Sequence, residues 1–185
     1  VNKAFTREDD STDDGPDRDS VVDLLPQGAP NYTTPKGLLR VERELTALVS
    51  EERARLNDAL NEAVSAAVPE ESKVAQARKR LAALDRRIAM LQHHLDVAQV
   101  IDPQTVQSDE VSFGATVLAR DEAGKQRRYT IVGVDEADFA RGLISWTSPL
   151  ARALTGARQG DEVLVRMPRG EEEWLVEEIR YVAVE

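Results

Sequence analysis

Cysteine is absent from this chain of 185 residues, which excludes a disulfide framework and a thiolate metal site. That absence agrees with a reducing compartment, and we expect a cytoplasmic protein. Aromatic residues make up only 4% of the sequence while charged residues make up 31%, a composition that suits solvated helices better than a dense aromatic core. No apolar run approaches the roughly 20 residues of a membrane-spanning helix, so no membrane partner is expected. The first residues contain no apolar signal core either, which argues against secretion. Basic residues are outnumbered 24 to 34, for a net charge of -10. Duplex nucleic acid is therefore a poor partner for the surface as a whole, and a protein with basic surfaces is a better one. No nucleophile–base constellation and no phosphate loop can be found. No catalytic residue is assigned on these grounds.

What the sequence does contain changes character along its length. Residues 1–34 read as an acidic tail and linker. "REDDSTDDGPDRDS" is too polar to offset the entropy of ordering it, and "PQGAPNYTTPKG" is rich in turn formers. A short apolar patch, Val21, Val22, Leu24 and Leu25, interrupts this segment. Thr33-Thr34-Pro35 is a helix-start signal, because proline suits the first helical position.

Apolar residues then recur at Leu38, Val41, Leu45, Leu48/Val49, Leu56, Leu60 and Val64, with a slip in the seam near Glu52-Arg53. A second, unbroken seam follows: Val74, Ala77, Leu81, Leu84, Ile88, Leu91, Leu95 and Ala98. Two helices of about 30 residues, each about 45 Å long, joined by a short connection, must pack antiparallel. Residues 35–104 therefore predict a coiled-coil hairpin with its tip near 64–74, closed at Asp102-Pro103 by the proline.

From about 108 to 185 the period changes. "VSFGATVLAR", "RRYTIVGV", "LISWTS", "DEVLVRM" and "EEWLVEEIRYVAV" read as strands separated by turns. "SPLARALTG" reads as a short helix with Ser148 as N-cap, Pro149 at the first position and Gly156 as the stop. The expected fold class is α+β: a long antiparallel α-helical hairpin followed by a small antiparallel β domain.

In that setting "AQVID", "FGATV", "YTIVGVDEAD", "LISWTSPLARALTG" and "GDEVLVRMPRGEEEWLVEEIRYV", in this order and spacing, resemble the bacterial transcript-cleavage factors of the GreA/GreB family. "KRLAALDRRIAMLQHHLDVAQVID" and "NKAFTRE" are similar to the GreB branch. The resemblance implies an FKBP-like C-terminal domain docked at the rim of the secondary channel of bacterial RNA polymerase. It also implies a hairpin, acting as a monomer, that reaches through the channel to the polymerase active centre and the RNA 3′ end. In such factors, acidic tip residues help hold a second Mg²⁺ of the polymerase active site, following the logic of two-metal hydrolysis. The factor has no cofactor of its own.

The family's tip motif, G-D-x-x-E-N-x-x-Y, falls here on Ala66-Ala67-Val68-Pro69-Glu70-Glu71-Ser72-Lys73-Val74. Glu70 matches. Ala66, Ala67, Glu71 and Val74 replace the glycine, aspartate, asparagine and tyrosine. The tip candidates are Ala67, Pro69, Glu70 and Glu71, with two readings. Pro69 and the two carboxylates form the favourable start of a helix, or Glu70 and Glu71 serve as metal ligands for a shared Mg²⁺. The sequence thus points to a channel-inserting regulator with impaired cleavage, the alternative being a GreB-like cleavage factor that uses Glu70 and Glu71.

Further polymerase-binding candidates follow from the resemblance: the acidic loop Asp135, Glu136 and Asp138, and Ser148 and Pro149. Without the resemblance, Trp146 and Pro149 would simply pack a strand–helix corner. Arg78, Lys79, Arg80, Arg86 and Arg87 form a basic hairpin face that either approaches RNA or is merely solvated. Adjacent His93 and His94 cannot readily chelate one ion on a helix and are expected on a solvated face. A stand-alone prolyl isomerase is disfavoured by the scarcity of aromatics for a prolyl pocket. A parallel coiled-coil oligomeriser is disfavoured by the slip near Glu52.

Overall fold

A computed structural model describes residues 23–66, 68, 70–167 and 170–184. The chain enters through a short strap in which Leu25 is buried and then forms strand β1, Asn31–Thr33. Thr34 caps helix α1, Pro35–Ala47: its side chain accepts a hydrogen bond from the Gly37 amide at 3.0 Å, and Pro35 opens the first turn. A five-residue π turn, Leu48–Glu52, carries the rod into helix α2, Arg53–Ser65. The returning helix α3 spans Glu71–Asp96.

The π turn lies where the seam slips. Leu48, Glu52, Leu56 and Leu60 are half-buried there, and a run of four-residue steps drifts around a helix of 3.6 residues per turn. The wider π turn takes up that drift. On α3, Leu84, Ile88 and Leu91 are buried, so the seam faces the first rod as expected.

Two sequence expectations fail at the base of the hairpin. Helix α3 ends at Asp96 rather than at Asp102-Pro103, and residues Ala98–Val100 form strand β2. Residues 31–33, read as linker, pair with β2 in parallel register, Asn31 opposite Ala98 and Thr33 opposite Val100. The cause is long-range. The Asn31 amide donates to the Val97 carbonyl at 3.0 Å, and the Ile101 amide to the Thr33 carbonyl at 2.9 Å. Backbone groups that a longer helix would satisfy internally are thus taken by a partner far away in sequence.

The C-terminal domain is a five-stranded curled sheet in the order β5-β4-β3-β7-β6. Its strands are β3 Ala115–Asp121, β4 Gln126–Val132, β5 Leu143–Ser145, β6 Glu162–Met167 and β7 Gly170–Tyr181. The pairing is antiparallel except for β4 with β5, which is parallel. That pair corrects the purely antiparallel expectation: 133–142 cross over instead of turning back as a hairpin. A register shift in the β3–β7 pairing at Leu118/Ala119 bends the sheet. Helix α4, Pro149–Leu154, lies on its inner face, with Leu150, Ala151 and Leu154 buried against Val117, Ile131, Val165, Trp174 and Val176. The class is α+β.

Candidate functional site: the hairpin and its mount

At the free end, α2 stops at Ser65, Ala66 turns extended, and α3 begins at Glu71 with Glu70 at the N-cap. Ala67 and Pro69 lie outside the described residues. The Glu70 carbonyl accepts from the amides of Lys73 and Val74 at 3.0 and 3.1 Å. Its carboxylate makes no cap bond; it meets the Lys73 ammonium at 2.9 Å. Glu71 occupies the first turn, where a carboxylate favours the positive end of the helix dipole. Carboxylate oxygens are the hard donors that Mg²⁺ takes, and both side chains are exposed. One of the two, however, already carries an ammonium. Among the described residues no group of three or more His, Asp or Glu side chains could hold a metal. An ion at this tip would take most of its ligands from elsewhere.

Along the shaft, two ion pairs tie the rods together: Arg53 to Asp85 at 2.8 Å and Arg87 to Glu44 at 2.7 Å. Of the predicted basic face, Arg78, Lys79, Arg80 and Arg86 are exposed. Arg87 is half-buried against Glu44 and belongs to the hairpin's own packing.

The mount departs most from expectation. His94 is buried, 1% exposed, not on a solvated face. Its Nδ1 lies 2.8 Å from an Asp135 carboxylate oxygen and its Nε2 2.9 Å from Asp23. The hydrogen bond to Asp135 raises the His94 pKa; burial opposes this, and the bond to Asp23 adds to the rise. Burial on its own would raise the Asp23 carboxyl. The Leu25 amide and His94 outweigh it and hold Asp23 below its ordinary value.

Glu136, read as part of an open acidic loop, is also buried. Its carboxylate accepts from the Thr33 hydroxyl at 3.1 Å, the Thr34 amide at 3.0 Å, the Thr34 hydroxyl and the Gly133 amide at 3.2 Å. The open-loop expectation is thus corrected for Asp135 and Glu136. The first is engaged by His94 and the second by the start of α1, so neither presents a free carboxylate to a partner. Asp138 is half-buried, and its backbone pairs with Leu143.

Around this polar centre, Tyr32 meets Trp146 edge-on at 5.3 Å and Phe113 at 5.8 Å. Trp146 thus packs onto the hairpin base as well as at its strand–helix corner. Ser148 caps α4 by accepting from the Ala151 amide at 3.2 Å, Pro149 follows in the first turn, and the proline is exposed.

Sequence reasoning missed Asp23, Tyr32, Thr33, Gly37 and Gly133 as members of the mount. The run Thr33-Thr34-Pro35 carried the helix start, but nothing in it names a carboxylate about a hundred residues away. Gly37 and Gly133 were the available signal. A Cβ at Gly37 would overlap the Glu136 carboxylate, and one at Gly133 would lie 2.7 Å from the Tyr32 carbonyl oxygen.

A long helical hairpin anchored by its base to a small curled β domain defines a class of protein with a rod projecting from a compact body. Comparison with known proteins gives the family. Residues 31–100 match the family described as "Transcription elongation factor, N-terminal", and residues 106–181 match "Transcription elongation factor, GreA/GreB, C-term". The chain belongs to the GreA/GreB family of transcription elongation factors.

It is 40% identical over 158 residues to transcription elongation factor GreB of Neisseria meningitidis serogroup B, covering 84% of this chain and 96% of that one. It is 42% identical over 154 residues to GreB of Yersinia pestis, covering 82% and 89%. It is 41% identical over 151 residues to GreA of Alkalilimnicola ehrlichii, covering 80% and 96%. Identity at one level to both branches does not divide them. Among solved structures, GreA factor homolog 1 of Thermus thermophilus aligns over 82% of this chain and 99% of that chain. Its identity to this chain is 24%, with a TM-score of 0.41.

Proposed function

We propose that this chain is a cytoplasmic accessory factor of bacterial RNA polymerase that docks by its β domain, as a monomer, and inserts the hairpin into the secondary channel without efficient stimulation of transcript cleavage. The observation that carries this reading is the tip. The family's aspartate position holds Ala67, its glycine Ala66 and its tyrosine Val74, while the retained Glu70 is paired with Lys73. Two-metal hydrolysis needs anionic oxygens converging on a hard cation. Glu70 stands at the extended N-cap and Glu71 in the first helical turn, and two carboxylates, one of them paired with an ammonium, are too few to make a convergent set by themselves. The exposed Pro149 beside Ser148 is the candidate docking contact, and the exposed Arg78, Lys79, Arg80 and Arg86 are candidates to face the RNA.

A second reading rests on one observation: Glu70 and Glu71 are both exposed at the tip's first turn. Shared Mg²⁺ could then be held by the polymerase with these two carboxylates, as in a GreB-like cleavage factor acting on the RNA 3′ end. The deciding experiment uses backtracked elongation complexes with end-labelled RNA and Mg²⁺. The first reading expects binding, block of an authentic cleavage factor, and little RNA shortening, with cleavage gained in Ala67→Asp. Strong cleavage by the native protein that Glu70→Ala abolishes would establish the second reading. Neither cleavage nor competition would remove the polymerase assignment.

A further inference from the structure

The two ends of the hairpin meet on one short turn of the C-terminal domain. Glu136 takes the start: its carboxylate collects the hydroxyl and amide of Thr34, the N-cap of α1, together with the Thr33 hydroxyl. Asp135 takes the finish through His94, which sits in the last turn of α3. Both placements agree with the helix dipoles, an anion at the N-terminus of α1 and an imidazole able to carry positive charge at the C-terminus of α3. Asp23 approaches the other nitrogen of the same imidazole. It lies before residue 31, where the match to the family's N-terminal part begins.

We propose that Asp135 and Glu136 are positioning residues that fix the direction in which the hairpin leaves the C-terminal domain, with Asp23 closing the grip on His94 from the N-terminal side. The geometry favours direction over mere attachment. Attachment to the C-terminal domain is already supplied by the Tyr32 contacts with Phe113 and Trp146, while the β1–β2 pairing joins the two ends of the hairpin to each other. The two carboxylates add holds at two separate points, the first turn of α1 and the last turn of α3, and two points resist rotation that one permits. Burial makes the holds firm: Glu136 is 5% and His94 1% exposed, so water competes poorly for these bonds.

The lever is long. The 26 residues of α3 span about 39 Å at 1.5 Å per residue, and a tilt of about 10° at the mount would swing the tip by about 7 Å. A tip that must reach a reacting centre has a tolerance of order 1 Å. That consequence rests on the polymerase reading above; the positioning itself does not.

The absence of native cysteine makes the test direct. Spin labels on Glu62→Cys near the tip and Ala123→Cys in the C-terminal domain, both exposed positions, report the hairpin angle as a distance distribution in the isolated protein. We expect one narrow distribution for the otherwise native chain. Glu136→Ala should broaden it about twofold or shift it by several ångströms, on the scale set by the lever. Asp135→Asn and Asp23→Asn should broaden it less. Glu136→Gln keeps an acceptor for the threonine donors and should restore most of the native width, a rescue that loss of stability alone does not explain. If Glu136→Ala does not fold, Asp135→Asn and Asp23→Asn decide the matter. Native distributions in folded Glu136→Ala and Asp135→Asn, or in the two Asn variants alone, overturn the proposal. A changed distribution alongside no polymerase binding would leave the proposal standing and remove only the functional reading.

Discussion

Two neighbouring carboxylates, Asp135 and Glu136, show how little a residue's type says about its use. In sequence they look like a solvated acidic loop. In the fold one meets a buried histidine and the other a helix start. The raised His94 pKa has a definite sign in stability. A group whose folded pKa lies above its unfolded value of about 6.5 contributes fully below that value, and the contribution is lost as pH rises through the folded pKa. Asp23, held below its ordinary 3.8, contributes above that value and loses its share as pH falls through the folded pKa. The groups facing His94 are Asp23 and Asp135, with the exposed His93 ring 6.4 Å away. Melting temperature should therefore fall as pH rises above about 6.5, and His94→Gln should flatten that slope; an equal slope in both proteins would count against a charged His94. At Gly37 a methyl group has no room beside Glu136. Gly37→Ala should lower stability by about 1–3 kcal/mol through overpacking, measured by denaturant unfolding, whereas helix propensity alone would predict a gain.

At the scale of elements, the hairpin depends on its seam. Leu91 is fully buried near the base, where the rods and the mount converge. Leu91→Ala should cost about 2–5 kcal/mol by removing apolar contacts and leaving a cavity. The exposed Val64, 48% accessible near the tip, should tolerate alanine within about 0.5 kcal/mol. Equal losses at the two sites would contradict the seam described here. The apolar pattern made both rods legible, and even the slip near Glu52 turned out to mark the π turn. It did not reveal where α3 stops, because Ala98–Val100 could extend a helix or pair as a strand, and only β1 decides between them. The strands of the C-terminal domain were legible from β-branched runs and turns. The parallel β4–β5 pair was not, since a short strand carries no sign of its partner's direction.

On the scale of the whole molecule, the mount couples two parts that could otherwise unfold separately. Helix signal in the far ultraviolet follows chiefly the hairpin, and tryptophan emission follows Trp146 at the mount and Trp174 in the β core. The two melting curves should coincide in the native protein and separate in Glu136→Ala, the helix signal moving to lower temperature. Separate transitions already present in the native protein would show that the mount does not couple them.

The sequence by itself determined the family, the α+β class, the two rods and the altered tip, because these depend on local periodicity, turn chemistry and the order of short motifs. Only the tertiary structure decided what Asp23, His94, Asp135 and Glu136 do. Their roles arise from burial and from contacts between residues 41 to 103 positions apart, and a carboxylate's environment, unlike its spacing, exists only once the chain has folded around it.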